Sequence, residues 1–154
     1  MQQRLILLAA LGSALMLATA FGFQHIGDLA PCKLCINQRW PHAVAVLIGL
    51  VAALFPHRIL ALFGAAAALS TSAIGFYHAG VEWKWWEGPS TCTSGPVGEL
   101  AVKDLLNQIL EAPMVRCDEI PWEMFGLSMA GWNGVISLGL ALVWLAAAFQ
   151  PKTR

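Results

Sequence analysis

Charge is what this chain has least of. Of its 154 residues only 12% are Asp, Glu, Lys or Arg and 58% are hydrophobic, against roughly 25% and 45–50% in a typical soluble domain. That balance excludes a disordered chain and argues against an ordinary soluble globule. No charge sign is in excess. Nine Lys and Arg offset nine Asp and Glu, so there is no electrostatic case for nucleic acid, and no such partner is expected. Internal repeats are missing too: the fourteen glycines are scattered and the apolar runs are too long for a repeat protein or a collagen. The length leaves room for a single domain, taken as residues 1–154.

What is present is four long apolar stretches. About 20 apolar residues in a helix cross a hydrocarbon core of about 30 Å. Leu5 to Phe23 carries no charge, nor does Trp40 to Phe55, which is short unless its helix begins earlier, near Cys35. Ile59 to Gly80 and Leu127 to Phe149 complete the set. The reading is an all-α membrane four-helix bundle, up-down-up-down, with helices over about 5–25, 36–55, 58–80 and 127–149 and outer loops over about 26–35 and 81–126.

Acids are absent from one side of this arrangement. All nine fall in the first and third connections, together with Lys33, Arg39, Lys84, Lys103 and Arg116; the opposite side carries Arg4, Arg58, Lys152 and Arg154 in three very short segments. Acids count for little in the positive-inside rule, and the density of basic residues near helix ends decides. Both termini are therefore expected in the cytoplasm and both long loops outside. A rival reading makes Arg4, the following apolar run and Ala18-Thr19-Ala20 a cleaved signal peptide. The run continues through Phe21 and Phe23, beyond a usual signal core, and an intact first helix is favoured.

In the second outer loop, Val102, Leu105, Leu106, Ile109 and Leu110 follow helical spacing with polar residues on the other faces, which predicts a short amphipathic helix anchoring the loop. Trp40, Trp83, Trp85, Trp86, Trp122 and Trp132 sit where helices meet the loops and read as an interfacial belt.

All four cysteines lie in these outer loops: Cys32 and Cys35 in the first, Cys92 and Cys117 in the second. On the expected outer side disulfides persist. Three pairings are open, with Cys32–Cys35 and Cys92–Cys117 favoured. Taken alone, a Cys92–Cys117 bond reads as a staple worth roughly 3 kcal/mol. Cys32-Lys33-Leu34-Cys35 constrains almost no chain, and its usual uses are redox exchange or metal binding. Zinc ribbons need two close pairs, whereas the second pair here is far apart and His25, His42, His57 and His78 show no ligand spacing with it. Ile36 after Cys35 excludes the haem-attachment pattern. No metal is expected. If a helix starts near Cys35, Arg39 lies one turn on along the same face. A helix N-terminus and a guanidinium both favour thiolate, the reacting species. Without the cysteines Arg39 reads as a snorkelling arginine. His78, near the outer end of the third helix, can face the same site, although a lone histidine there more often reads as a hydrogen-bonded interfacial residue.

On these residues the sequence resembles the disulfide bond formation protein B (DsbB) family, the quinone-linked membrane oxidases of the bacterial periplasm. The matching motifs are Phe23-Gln24-His25, Pro31-Cys32-Lys33-Leu34-Cys35-Ile36, Arg39, His78, Cys92, Cys117 and the run from Trp122 through Phe125-Gly126-Leu127 to Met129. The resemblance implies an inner-membrane protein-dithiol:quinone oxidoreductase that sustains disulfide formation. It implies that Cys92 and Cys117 reoxidise a soluble thioredoxin-like partner of the DsbA kind, with Cys92 forming the mixed disulfide. Electrons then pass to Cys32–Cys35 and on to a membrane quinone, ubiquinone or menaquinone, with Cys35, Arg39 and His78 at the quinone. Glu82, one turn beyond His78, departs from the family pattern and reads as an acceptor for His78 or a tryptophan. Two other readings compete. A vitamin K epoxide reductase-like enzyme would carry its quinone-side pair late in the chain, and a structural membrane protein with a stapled loop gives no reason for Cys32-x-x-Cys35 followed by Arg39.

Overall fold

A computed structural model describes residues 1–90, 92 and 115–150 of the chain. It is an all-α bundle of four helices: α1 (Gln2–His25), α2 (Lys33–Leu54), α3 (Arg58–Glu82) and α4 (Met129–Ala148). The helices alternate in direction. Gln3 at the start of α1 donates to the Ala53 carbonyl at the end of α2 at 2.7 Å, and Arg58 at the start of α3 stacks over Phe149 just past α4. The amphipathic helix expected at 102–111 lies outside the described residues.

Start and stop signals are local. Cys32 is the N-cap of α2, its sulfur accepting from the Cys35 amide at 3.3 Å, and this is why the helix begins ahead of its apolar run. His57 caps α3 through a bond from the Ile59 amide. Ser128 caps α4, accepting from the Gly131 amide. Residues 127–128, expected to open the fourth helix, instead form β2 (Leu127–Ser128), which pairs antiparallel with β1 (Glu123–Met124). The hairpin turns at Phe125 and Gly126, with φ of 54° and 75°. That left-handed pair suits a two-residue hairpin loop and starts the helix two residues late.

The packing is inverted relative to a water-soluble bundle. Leu8, Leu11, Leu15, Leu47, Leu50, Phe63 and Leu142 point outward and are 58–61% exposed. The core is made of small residues (Ala9, Ala10, Ala52, Ala61, Ala65, Ala68, Ala141, Ala147) packed around the fully buried Trp144. So much exposed apolar surface is foreign to a soluble monomer. In lipid, where burying leucine gains nothing, helices associate through small residues that let backbones approach. A Cβ at Gly75 would lie 2.7 Å from the Gly134 amide nitrogen, so α3 and α4 touch backbone to backbone there.

By length and composition α1, α3 and α4 can each cross a membrane. The first turns of α2 carry Gln38, Arg39 and His42; Gln38 and His42 are buried inside the bundle, away from the lipid face. This is a multi-pass membrane protein. α1 contributes Ile6, Ala9, Ala10 and Ser13 to the buried set, as an integral helix does. At the cysteine end, Trp83, Trp85 and Trp86 pack in tilted and edge-to-face contacts with ring centroids 4.8 and 6.0 Å apart.

Candidate functional site

The end of the bundle where α1 finishes, α2 begins, α3 finishes and α4 begins gathers all four cysteines. Cys32 and Cys35 are free thiols rather than the expected disulfide, with sulfurs 3.0 Å apart. Cys92 and Cys117 are bonded, with Cα atoms 5.3 Å apart, a span ordinary for a disulfide. The Cys32 sulfur and both sulfurs of that bond all lie within 4.8 Å of one another. Leu34, Val81 and Val115 pack around them. The segment carrying Cys117 is tied down beside it: Asp118 accepts from Lys84 at 2.6 Å and from Arg116 at 2.7 and 2.9 Å. The Cys117 amide donates to the Cys92 carbonyl at 2.9 Å.

Cys32 and Cys35 stand at the N-terminus of α2, ahead of its apolar run, and they are not equivalent. The Cys32 thiol donates to the Cys35 sulfur. This bond pulls the Cys35 thiol below its ordinary value, while the same bond, burial and the neighbouring Cys35 charge push Cys32 up. A dithiol so arranged keeps its proton on Cys32 and its negative charge on Cys35.

The structure brings His78 to the same place. Its Nε2 lies 3.5 Å from the Cys32 sulfur and 3.9 Å from Glu82 Oε1, and its Nδ1 lies 2.9 Å from Gln38 Nε2. Glu82, for which the sequence offered an acceptor role, is buried and accepts from the Ser128 hydroxyl, tying the end of α3 to the cap of α4. Arg39 is placed differently from the expectation. Its guanidinium turns to α1, donating to Gln24 Oε1 at 2.6 Å and to the Ala20 carbonyl at 3.3 Å and stacking 4.8 Å over the Phe21 ring. No hydrogen bond joins it to either sulfur among the described residues, and the bond from Cys32 lowers the Cys35 thiol more than the Arg39 charge does.

Cys35, Arg39, His78 and Glu82 line one cavity of about 720 Å³, closed mainly by apolar side chains such as Leu17, Phe23, Met129 and Ile136. An apolar cavity with a few convergent polar groups fits a flat ring bearing two carbonyl oxygens. The Cys32, Cys35 and His78 ligand atoms also lie within 4.8 Å of one another.

Several neighbours of the site escaped the sequence reading. Gln38, Thr71 and Asn133 form a buried hydrogen-bonded cluster with His78 and His42. Their signal was there: polar side chains inside apolar helices are costly and mark a function by default. Gln24 belonged to a quoted motif without a role, and the structure makes it the partner of Arg39.

Comparison with known proteins agrees with this geometry. The family model described as disulfide bond formation protein DsbB matches residues 2–147. Disulfide bond formation protein B of Herminiimonas arsenicoxydans is 34% identical over 149 residues, covering 94% of this chain and 93% of that protein. Disulfide bond formation protein B 2 of Pseudomonas aeruginosa is 33% identical over 152 residues, covering 94% and 89%. With the match spanning all four helices and the two cysteine pairs, the chain belongs to the DsbB family of disulfide bond formation proteins.

Proposed function

We propose that this membrane oxidoreductase of disulfide formation works as a two-stage relay, from a DsbA-like periplasmic dithiol to a membrane quinone. The observation that carries the reading is the contact between the two pairs. One reduced Cys-x-x-Cys and one disulfide meet with Cys32 in reach of both loop sulfurs. Thiol–disulfide exchange needs a thiolate to reach a disulfide sulfur, and only Cys32 of the first pair is grouped with the loop disulfide. In the relay, Cys92 exchanges with the partner and Cys117 is its paired cysteine. The loop dithiol then reduces a Cys32–Cys35 disulfide through Cys32, releasing Cys35 as the thiolate.

Cys35, the lower-pKa sulfur on the cavity wall, is the electron donor of the second stage. Arg39, held in place by Gln24, offers its charge to one polar end of the acceptor, and His78 lines the same cavity. When bound, ubiquinone or menaquinone supplies a terminal acceptor for two electrons and two protons. The mainly apolar walls leave room for a lipid-soluble head group. The cysteine end faces the periplasm and both termini the cytoplasm, a reading supported by the density of Arg4, Arg58, Lys152 and Arg154.

The test is anaerobic: purified protein, reduced DsbA-like partner and a soluble quinone, followed by quinone absorbance. Partner-dependent reduction that disappears in Cys32→Ser and in Cys92→Ser supports the relay. No reduction with either quinone class would return the loop disulfide to the role of a staple.

A further inference from the structure

The buried amides around His78 can satisfy one another in only one direction, and that direction ends on the cysteines. Backbone carbonyls only accept, so they fix the starting point. Thr71 Oγ1 lies 3.0 Å from the Gln38 carbonyl and commits its single proton there. The Asn133 amide then faces two acceptors, Thr71 Oγ1 at 3.1 Å and the Thr71 carbonyl at 3.4 Å, so the group facing them is Nδ2. The other end of Asn133 is Oδ1, and His42 Nε2, 2.9 Å away, must carry the proton. Asn133 Nδ2 also lies 2.6 Å from Gln38, which therefore presents Oε1. Gln38 Nε2 is left facing the Leu34 carbonyl at 3.3 Å and His78 Nδ1 at 2.9 Å. Nδ1 must accept. A protonated Nδ1 would set donor against donor, so His78 is neutral and its single proton is on Nε2, 3.5 Å from the Cys32 sulfur.

We propose that Gln38, Asn133 and Thr71 are positioning residues that lock His78 as the Nε2–H tautomer, so that a one-way chain of donors runs from α4 through His78 and Cys32 and holds the negative charge of the dithiol on Cys35. Three links donate toward the sulfurs, Asn133 to Gln38, Gln38 to His78 and Cys32 to Cys35, while the single Nε2 proton of His78 is shared between the Cys32 sulfur and the Cys117 backbone carbonyl. Donors in series polarise one another, and the last acceptor gains from all of them. Two consequences follow. His78 acts as a hydrogen-bond donor and not as the base that takes the thiol proton. Its Nε2 is also closed to a metal ion, because a ligating nitrogen needs a free lone pair. The other titratable groups around this chain do not reverse it. On its own helix Glu82 stands 3.9 Å from Nε2 and accepts, from α2 Arg39 is turned to α1, and Arg116 and Glu119 line the cavity from the opposite segment.

The inference deepens the relay reading and rests on it only in making Cys35 the electron donor. Its test needs neither partner nor quinone. In full-length protein with Cys92–Cys117 intact and Cys32 and Cys35 reduced, ¹⁵N-histidine spectra, assigned by loss of a signal in His78→Gln, are expected to show Nε2 protonated and Nδ1 bare. The reverse pattern or an imidazolium at neutral pH would overturn the proposal without any change to the network. The alkylation rate of Cys35 against pH is the second readout. Gln38→Met and Asn133→Leu should each move its midpoint upward, by on the order of one pH unit, which is a tenfold slower reaction well below the midpoint. Midpoints unchanged in both variants, with the loop disulfide still formed, would remove the amides from the charge-holding role. A failed anaerobic quinone assay would strike the relay reading and leave these two readouts as they are.

Discussion

Replacing Gly75 by alanine tests the fold and the site at once. The new Cβ would lie 2.7 Å from the Gly134 nitrogen, 2.9 Å from its Cα and 3.0 Å from the Ala130 carbonyl oxygen. All three are backbone atoms, so no side chain can rotate away and α3 must part from α4. Overpacking of this kind costs about 1–3 kcal/mol, while exchanging glycine for alanine in a helix returns about 0.8–1 kcal/mol. Gly139 supplies the control, since a Cβ there meets nothing within 4 Å. The propensity gain is common to both variants and cancels in their comparison. The remaining gap is the clash, about 2 kcal/mol, or about thirtyfold in the unfolding equilibrium. The assay is denaturation by SDS in mixed micelles, followed by tryptophan fluorescence. Gly75→Ala should unfold earlier than wild type and Gly139→Ala no earlier. Because Ser72 donates to the Gly134 carbonyl at 2.8 Å and Thr71 contacts Asn133, the parted helices should also slow Cys35 alkylation in Gly75→Ala alone. Equal unfolding midpoints for the two variants would refute the close approach of α3 and α4.

Three further outcomes are expected. Cys117→Ala should accumulate a mixed disulfide between Cys92 and the DsbA-like partner on a non-reducing gel; continued partner oxidation with no adduct would reverse the roles of the two loop cysteines. Gln24→Leu releases the Arg39 guanidinium, and one lost charge-assisted bond of about 1.5 kcal/mol should raise KM for quinone about tenfold with little change in kcat; an unmoved KM would free Arg39 from its α1 tether. The Asp118 carboxyl is held well below the usual carboxylate range, first by its bond from Arg116 and also by Lys84. Its depressed value means that the docking it supplies is fully present above the unfolded carboxylate value near pH 4 and is lost as pH falls toward the folded one. Amide hydrogen exchange of Cys117 and Glu119 should therefore be insensitive to this group from pH 5 to 8 and show loosening only in acid, whereas Asp118→Asn should be loosened at every pH.

Much of the architecture was written in runs of like residues. Leu5 to Phe23 or Ile59 to Gly80 has one low-energy solution in lipid, a helix, because every backbone group must be paired internally. Cys32, Cys35 and His78 stood out by residue type near helix ends, and Cys92 and Cys117 by residue type in the second loop. What the sequence concealed depends on contacts far apart along the chain. Gln38 meets Asn133 across 95 residues and Thr71 meets Gln38 across 33, and no local spacing announces either. The direction of Arg39 was equally hidden: the i+4 rule put it on the Cys35 face, but Gln24 and Phe21 of α1 offer its charge a hydrogen bond and a ring face. The hairpin at 123–128 was masked because its two strands are two residues each, too short for an alternating pattern to register.

The burial of the loop disulfide has a consequence for timing. Cys92 and Cys117 are 1% and 0% exposed in the arrangement that sets them against Cys32. No soluble protein can touch those sulfurs while they are docked there, and small thiols are shut out as well. On the proposed relay, loading from the partner and unloading to Cys32 would therefore be separate strokes, as with the two doors of an airlock that never stand open together. Electrons from the partner would have no direct route to Cys32 while the loop disulfide is docked.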